Sequence, residues 1–283
     1  PEDLTLAAIT TVAGNVDLDK TTANALRLRD LAGSTTPIHR GAEGPLIYPL
    51  ETAEFVCGVD GLAGANLPPP ASDVASGHAV EAIIALCRAA PEGGITLCPL
   101  GPLTNLALAF RLAPDILPKI GRIVLMGGAM GLGNVTPAAE FNIYVDPHAA
   151  AIVFGCGRPI TMLGLGVTHQ AIASAEHLAR IKALGTRTGM AVHGMLTRPR
   201  HSNSGTTGHP MHDPCVIGIL LWPELFEGRD CFVEVETGAG PLRGRTTIDW
   251  NGRLKREANA HVVATVVAKD FFDRMIDRLE RLP

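Results

Sequence analysis

The sequence predicts an α/β fold: a mostly parallel central sheet flanked by helices, with a small antiparallel extension near the C-terminus. Three observations lead there. Apolar runs rich in strand formers alternate with segments of helical period over roughly the first 170 residues. The connections between them are short, and such alternation builds parallel β-α-β units buried on both faces. Beyond that point the alternation thins, and strand-like segments near the end favour antiparallel pairing.

Each element has its own local signal. LTLAAITTVAG (4–14) reads as a strand entering a loop, and 17–33 as a helix started by Asp17 and stopped by Gly33. TPIHRGA is a short strand, and 42–75, rich in Gly, Pro and Asp, is a long loop region. SGHAVEAIIALCRAAPEGG reads as a helix capped by Ser76 and stopped by Pro91 and Gly93. The strand ITLCPLG leads to the helix LTNLALAFRLAP, RIVLMGGA is the next strand, DPHAAAIVFGCG a helix and PITMLGLGV a strand. Helices occupy 174–198, followed by an irregular polar stretch and the helix DPCVIGILLWPELF. CFVEVETGAG, LRGRTTIDW and HVVATVV alternate as an antiparallel extension would, before a last helix, KDFFDRMIDRLERL, with a solvated face. No repeat, low-complexity segment or linker divides the chain, so residues 1–283 read as one domain.

Composition narrows the function classes. With 46% hydrophobic residues, 18% charged and a net charge of -4, the chain lacks the basic footprint of a nucleic-acid binder. Aromatic residues, at 4%, are too few for base-stacking platforms. The six cysteines form no CxxC pair and sit mostly in apolar runs, which suits buried thiols in a reducing compartment. No apolar run reaches membrane-spanning length and the start is not signal-like, so no membrane partner and a cytoplasmic location are expected.

In an open α/β sheet, ligands bind outside the carboxyl ends of the strands. There the sequence places Asn15, Thr104 and Asn105, then Asn134, Glu140 and Asn142, then Thr168 and His169, with His212 and Asp213 before a later helix. Any one of these suits a turn or a helix cap, and Asp146-Pro147 reads simply as a helix start. Glu140, beside Phe141 and Ile143, is harder to dismiss, because an unpaired carboxylate in apolar surroundings is costly. The loops lack a GxxxxGK[ST] motif and offer few cations, which counts against phosphate. GAMGLG (128–133) opens no suitable helix for a dinucleotide. A neutral polyol fits better, since amides and carboxylates clamp hydroxyl pairs, and Asp213 is the best ligand for a hard divalent cation.

AITTVAGN, GPLTNLALA, VLMGGAMGLGNVTPAAEFNIYVDPHAA, ITMLGLGVTHQA and HDP, in that order, resemble the inosine–uridine-preferring nucleoside hydrolases over essentially the whole chain. The resemblance implies cleavage of the N-glycosidic bond of ribonucleosides by a calcium-activated water, in a homodimer or homotetramer. It implies a ribose clamp of Asn15, Asn134, Glu140 and Asn142, with Asp213 as a calcium ligand that also meets the ribose. Leu100 falls where the family offers a backbone carbonyl to the metal, and His212 where a histidine protonates the departing base. Two departures stand out. The family's N-terminal DxDxxxDD cluster does not occur, so the first strand and the remaining metal ligands are expected upstream of Pro1. Cys57, in VCGVDGL, replaces a histidine of His-Gly-x-x-Gly-Leu, which leaves the choice of base open. An inactive, metal-free ribose- or nucleoside-binding relative is the alternative if the chain truly begins at Pro1. Phosphorolysis is a weaker rival, given the missing cationic site. His169 reads as pocket wall, and His201 and His209 fall in a Gly/Ser/Thr-rich stretch of the kind that closes over substrates.

Overall fold

A computed structural model describes residues 4–62, 64–197 and 208–283. The strands are β1 (Ile9–Thr10), β2 (Ile38–His39), β3 (Ile95–Leu97), β4 (Ile120–Met126), β5 (Ile160–Leu163), β6 (Ile172–Ala173), β7 (His209–Pro210), β8 (Phe226–Cys231), β9 (Val233–Val235), β10 (Thr246–Ile248) and β11 (Ala260–Val266). The helices are α1 (Leu18–Leu31), α2 (Glu54–Cys57), α3 (Ala79–Ala89), α4 (Thr104–Leu112), α5 (Phe141–Val145), α6 (Pro147–Phe154), α7 (Leu165–Thr168), α8 (Ala175–Ala183), α9 (Arg187–Thr197), α10 (Pro214–Leu221) and α11 (Ala268–Leu279).

The main sheet runs β3-β4-β5-β11-β8, parallel except for the β11–β8 pair. Alternate residues of β4 point to opposite faces. Ile123 and Leu125 join α3, α4 and α6 on one side, while Val124 and Met126 join α10 and α11 on the other. Both faces are thus covered, as the apolar composition of the strands requires. The buried Phe271, Phe272 and Ile276 form the inner stripe of α11. All six cysteines are free thiols.

Several elements differ from their sequence reading. HVVATVV joins the main sheet as β11, parallel to β5, with only β8 antiparallel beside it, while β9 and β10 pair separately. Alternation marks a strand without naming its partner. PITMLGLGV stops as a strand at Leu163, because Gly164 backs onto Gly128 and the Leu165 amide bonds the Gly128 carbonyl at 2.9 Å. The cap of α3 is His78, not Ser76: His78 Nδ1 accepts from the Val80 amide and Glu81 from the His78 amide, both at 3.2 Å, a reciprocal capping box. The loop region 42–75 contains α2, and His209 lies on β7, paired with Ala173 of β6. His201 lies outside the described residues.

At the other end, β1 pairs in parallel with β2. Asn105 Nδ2 donates to the Thr11 carbonyl at 2.8 Å, tying the end of β1 to the helix that follows β3. No ladder joins β1 to β3 among the described residues.

Candidate active site

After β4 the chain turns at Gly127 and Gly128, loops through Asn134 and enters α5 at Glu140. A five-residue helix cannot stand on its own hydrogen bonds. Its N-terminus is held instead by side chains. Asn134 Oδ1 accepts from the Phe141 amide at 2.9 Å. Glu140, the N-cap, accepts from the Asn142 amide at 3.0 Å and the Ile143 amide at 3.3 Å.

Glu140 also accepts from the Gly128 amide at 2.9 Å, where φ of +79° suits glycine. Its residue is 2% exposed. Burial pushes the carboxyl up to about 7, although the three backbone N–H groups pull the other way. The charge of Asp213 adds to the rise, which places Asp213 within electrostatic reach.

Asn142, 7% exposed, donates from Nδ2 to the Met126 carbonyl at 3.1 Å and the Leu100 carbonyl at 3.3 Å. One carboxamide therefore joins the loop after β3 to the end of β4 at the carboxyl edge of the sheet. Facing two carbonyls with Nδ2 also fixes which way the amide points. Its Oδ1 is the acceptor this arrangement offers to a ligand hydroxyl.

His212 and Asp213 open α10. Asp213, exposed, holds the N-cap position but makes no capping hydrogen bond. His212 Nδ1 shares a hydrogen bond of 2.8 Å with Oγ1 of the buried Thr168, at the end of α7. The His169 ring lies 5.5 Å from that of His212, and burial lowers the pKa of His169. Asn15 stands apart. It is exposed in the loop after β1, its carbonyl accepting from the Ala53 amide at 2.8 Å beside α2, which carries Cys57.

The structure thus joins Leu100, Asn134, Glu140 and Asn142 through hydrogen bonds, brings Asp213 near electrostatically, and holds Asn15 through its backbone on Ala53, which packs with Phe141 and Val145 of α5. Asp146 caps α6 as its Asp-Pro sequence predicts, and does more. Fully buried, it accepts from the Ala149 amide at 3.0 Å, the Leu46 amide at 2.9 Å and Thr104 Oγ1 at 2.7 Å. Thr104 belongs to the polar set at the strand ends, but the Leu46 link has no local signature. No three His, Cys, Asp or Glu side chains converge as metal ligands among the described residues. The Asp213 carboxylate and Leu100 carbonyl fall short of the about six to eight oxygens that calcium takes, so they do not form a complete site by themselves.

Comparison with known proteins places this geometry in context. The family model "Inosine-uridine preferring nucleoside hydrolase" matches residues 1–273. The chain is 44% identical to a pyrimidine-specific ribonucleoside hydrolase of Shewanella woodyi, over 96% of this chain and 89% of that protein. It is 45% identical to a non-specific ribonucleoside hydrolase of Salmonella paratyphi B, over 95% and 87% respectively. A purine-preferring ribonucleoside hydrolase from Gardnerella vaginalis superposes with a TM-score of 0.87 at 30% identity, covering 98% of this chain and 90% of that one. The chain belongs to the inosine-uridine preferring nucleoside hydrolases, and is an N-ribosyl hydrolase.

Proposed function

We propose that the chain hydrolyses purine and/or pyrimidine ribonucleosides to ribose and free base at the carboxyl edge of β3, β4 and β5. The observation that supports this most is Asn142, locked between the Leu100 and Met126 carbonyls beside the buried Glu140. In this reading Asn15, Asn134, Glu140, Asn142 and Asp213 engage ribose hydroxyls. Glycosidic cleavage builds positive charge on the sugar and negative charge on the leaving base. Carboxylates and amide oxygens stabilise the first. The Thr168 hydroxyl orients His212 through Nδ1, and the imidazole protonates the departing base.

A calcium ion, when bound, would supply a water of lowered pKa as nucleophile. Asp213 and the Leu100 carbonyl are the groups of this chain that would hold it. A cytoplasmic homodimer or homotetramer completes the reading, and no described helix is long and apolar enough to cross a membrane. Relatives named for pyrimidine, purine and broad preference make both base classes candidates.

A reducing-sugar assay on inosine and uridine, using the full-length protein, tests the proposal. Activity abolished by Asn142→Ala and by Asp213→Ala is the expected result. Unchanged turnover in both variants would overturn the site.

A further inference from the structure

At the far end of α5 lies a cluster the chemistry above does not use. Arg243, 8% exposed, has its guanidinium carbon 3.9 Å from the ring centroid of Tyr48 and 4.1 Å from that of Tyr144. Its Nη1 donates to Glu51 at 2.8 Å and its Nη2 to the Val145 carbonyl at 3.5 Å. Tyr144 donates to both oxygens of Glu51 at 3.2 Å, and Tyr48 donates to the Thr237 carbonyl at 2.9 Å. Gly244, at φ +75°, lets the backbone approach closely, since an added Cβ would lie 2.5 Å from Tyr144 Cα. Three separate segments, around residues 48–51, 144–145 and 237–244, therefore meet on one cation.

Burying a cation is costly, and a buried ion pair is weak support for stability alone. Here the cost is only partly offset, because Arg243 Nε is buried without an acceptor. What the cation does is local. It stacks on a residue of α5 and donates to the carbonyl at the helix's C-terminal end, where positive charge is favourable. Glu140 and Asn134 hold the other end of the same five-residue helix. Asn142 lies between the two anchorages.

We infer that Arg243 is a positioning residue: the Tyr48–Arg243–Tyr144 stack, fastened by Glu51, sets the placement of α5 and so the ribose-binding geometry of Asn142 and Glu140. This rests on the ribose-clamp reading above. A small displacement of such groups weakens binding and turnover sharply.

The test uses the full-length enzyme and compares Arg243→Met, Tyr144→Leu and Tyr144→Phe with Asn142→Ala, with kcat, KM and inhibition by free ribose and free base as readouts. Arg243→Met and Tyr144→Leu are expected to raise KM and weaken ribose inhibition about tenfold while base inhibition stays within about twofold. Tyr144→Phe, which keeps the ring, should restore most of the ribose affinity lost in Tyr144→Leu. If Arg243→Met does not fold, the Tyr144 pair decides. Should Asn142→Ala weaken ribose while Arg243→Met and Tyr144→Leu do not, or should both Tyr144 variants lose ribose and base binding alike, the positioning role is overturned. Unchanged ribose inhibition in Asn142→Ala overturns the clamp itself, and this inference with it.

Discussion

Asp146 offers the sharpest test of how the site is held. Its carboxylate joins α6, the loop at Leu46 and the start of α4 through three hydrogen bonds in a fully buried position. Asp146→Ala removes all three acceptor contacts at once. Loss of the helix cap at Ala149 costs about 1 kcal/mol. The Leu46 amide and Thr104 hydroxyl each lose a charged acceptor, about 1.5 kcal/mol apiece at the lower end. The sum is about 4 kcal/mol, a large share of the about 5–15 kcal/mol by which a domain is stable. Asp146→Asn separates the contributions. It keeps an acceptor for Ala149, and Thr104 can rotate, but its NH2 opposes the Leu46 amide, so a loss of about 1–2 kcal/mol is expected. Urea unfolding of the three proteins measures these differences. An Asp146→Ala loss below about 1 kcal/mol, or an Asp146→Asn loss larger than that of Asp146→Ala, would refute the reasoning.

Other consequences are equally direct. The Glu140 carboxyl, at about 7 in the fold against an ordinary 4.5, keeps a proton across that window which the unfolded chain has lost. Stability should therefore fall by about 3 kcal/mol as pH rises through that window, and Glu140→Gln should abolish the slope. Matched urea titrations in chelator would show it, and parallel curves for both proteins would contradict it. Thr168→Val removes the hydrogen bond to His212 with little change of shape, and should lower kcat about tenfold with KM nearly unchanged, while His212→Ala should cost about a hundredfold. Steady-state kinetics at neutral pH decides, and wild-type kcat in Thr168→Val would separate the pair from the chemistry. Removing divalent cations should reduce turnover to about 1% or less, with calcium restoring it. Full activity after exhaustive chelation would exclude the calcium-activated water.

Much of the site is local, and therefore legible along the chain. The carboxylate at the entry to α5 and the Asp-Pro start of α6 each cap amides two or three residues ahead. Short-range hydrogen bonding makes such patterns readable. Ser76 was a plausible cap for α3, but His78 took the role because its imidazole and Glu81 satisfy two amides reciprocally. Asn15 and Asn142 read alike as post-strand asparagines, yet the fold holds Asn142 by its side chain on the Leu100 and Met126 carbonyls and Asn15 by its backbone carbonyl on Ala53.

Strands, helices and the polar edge followed from periodicity and capping, which depend on residues close in sequence. Whether β11 would run parallel to β5 depended on which sheet edge packing left for it, and its own alternation cannot encode that. The same holds for Arg243, whose partners Tyr48, Glu51 and Tyr144 lie far away along the chain. A buried cation is tolerated only where distant groups converge to compensate it, and folding alone brings them together.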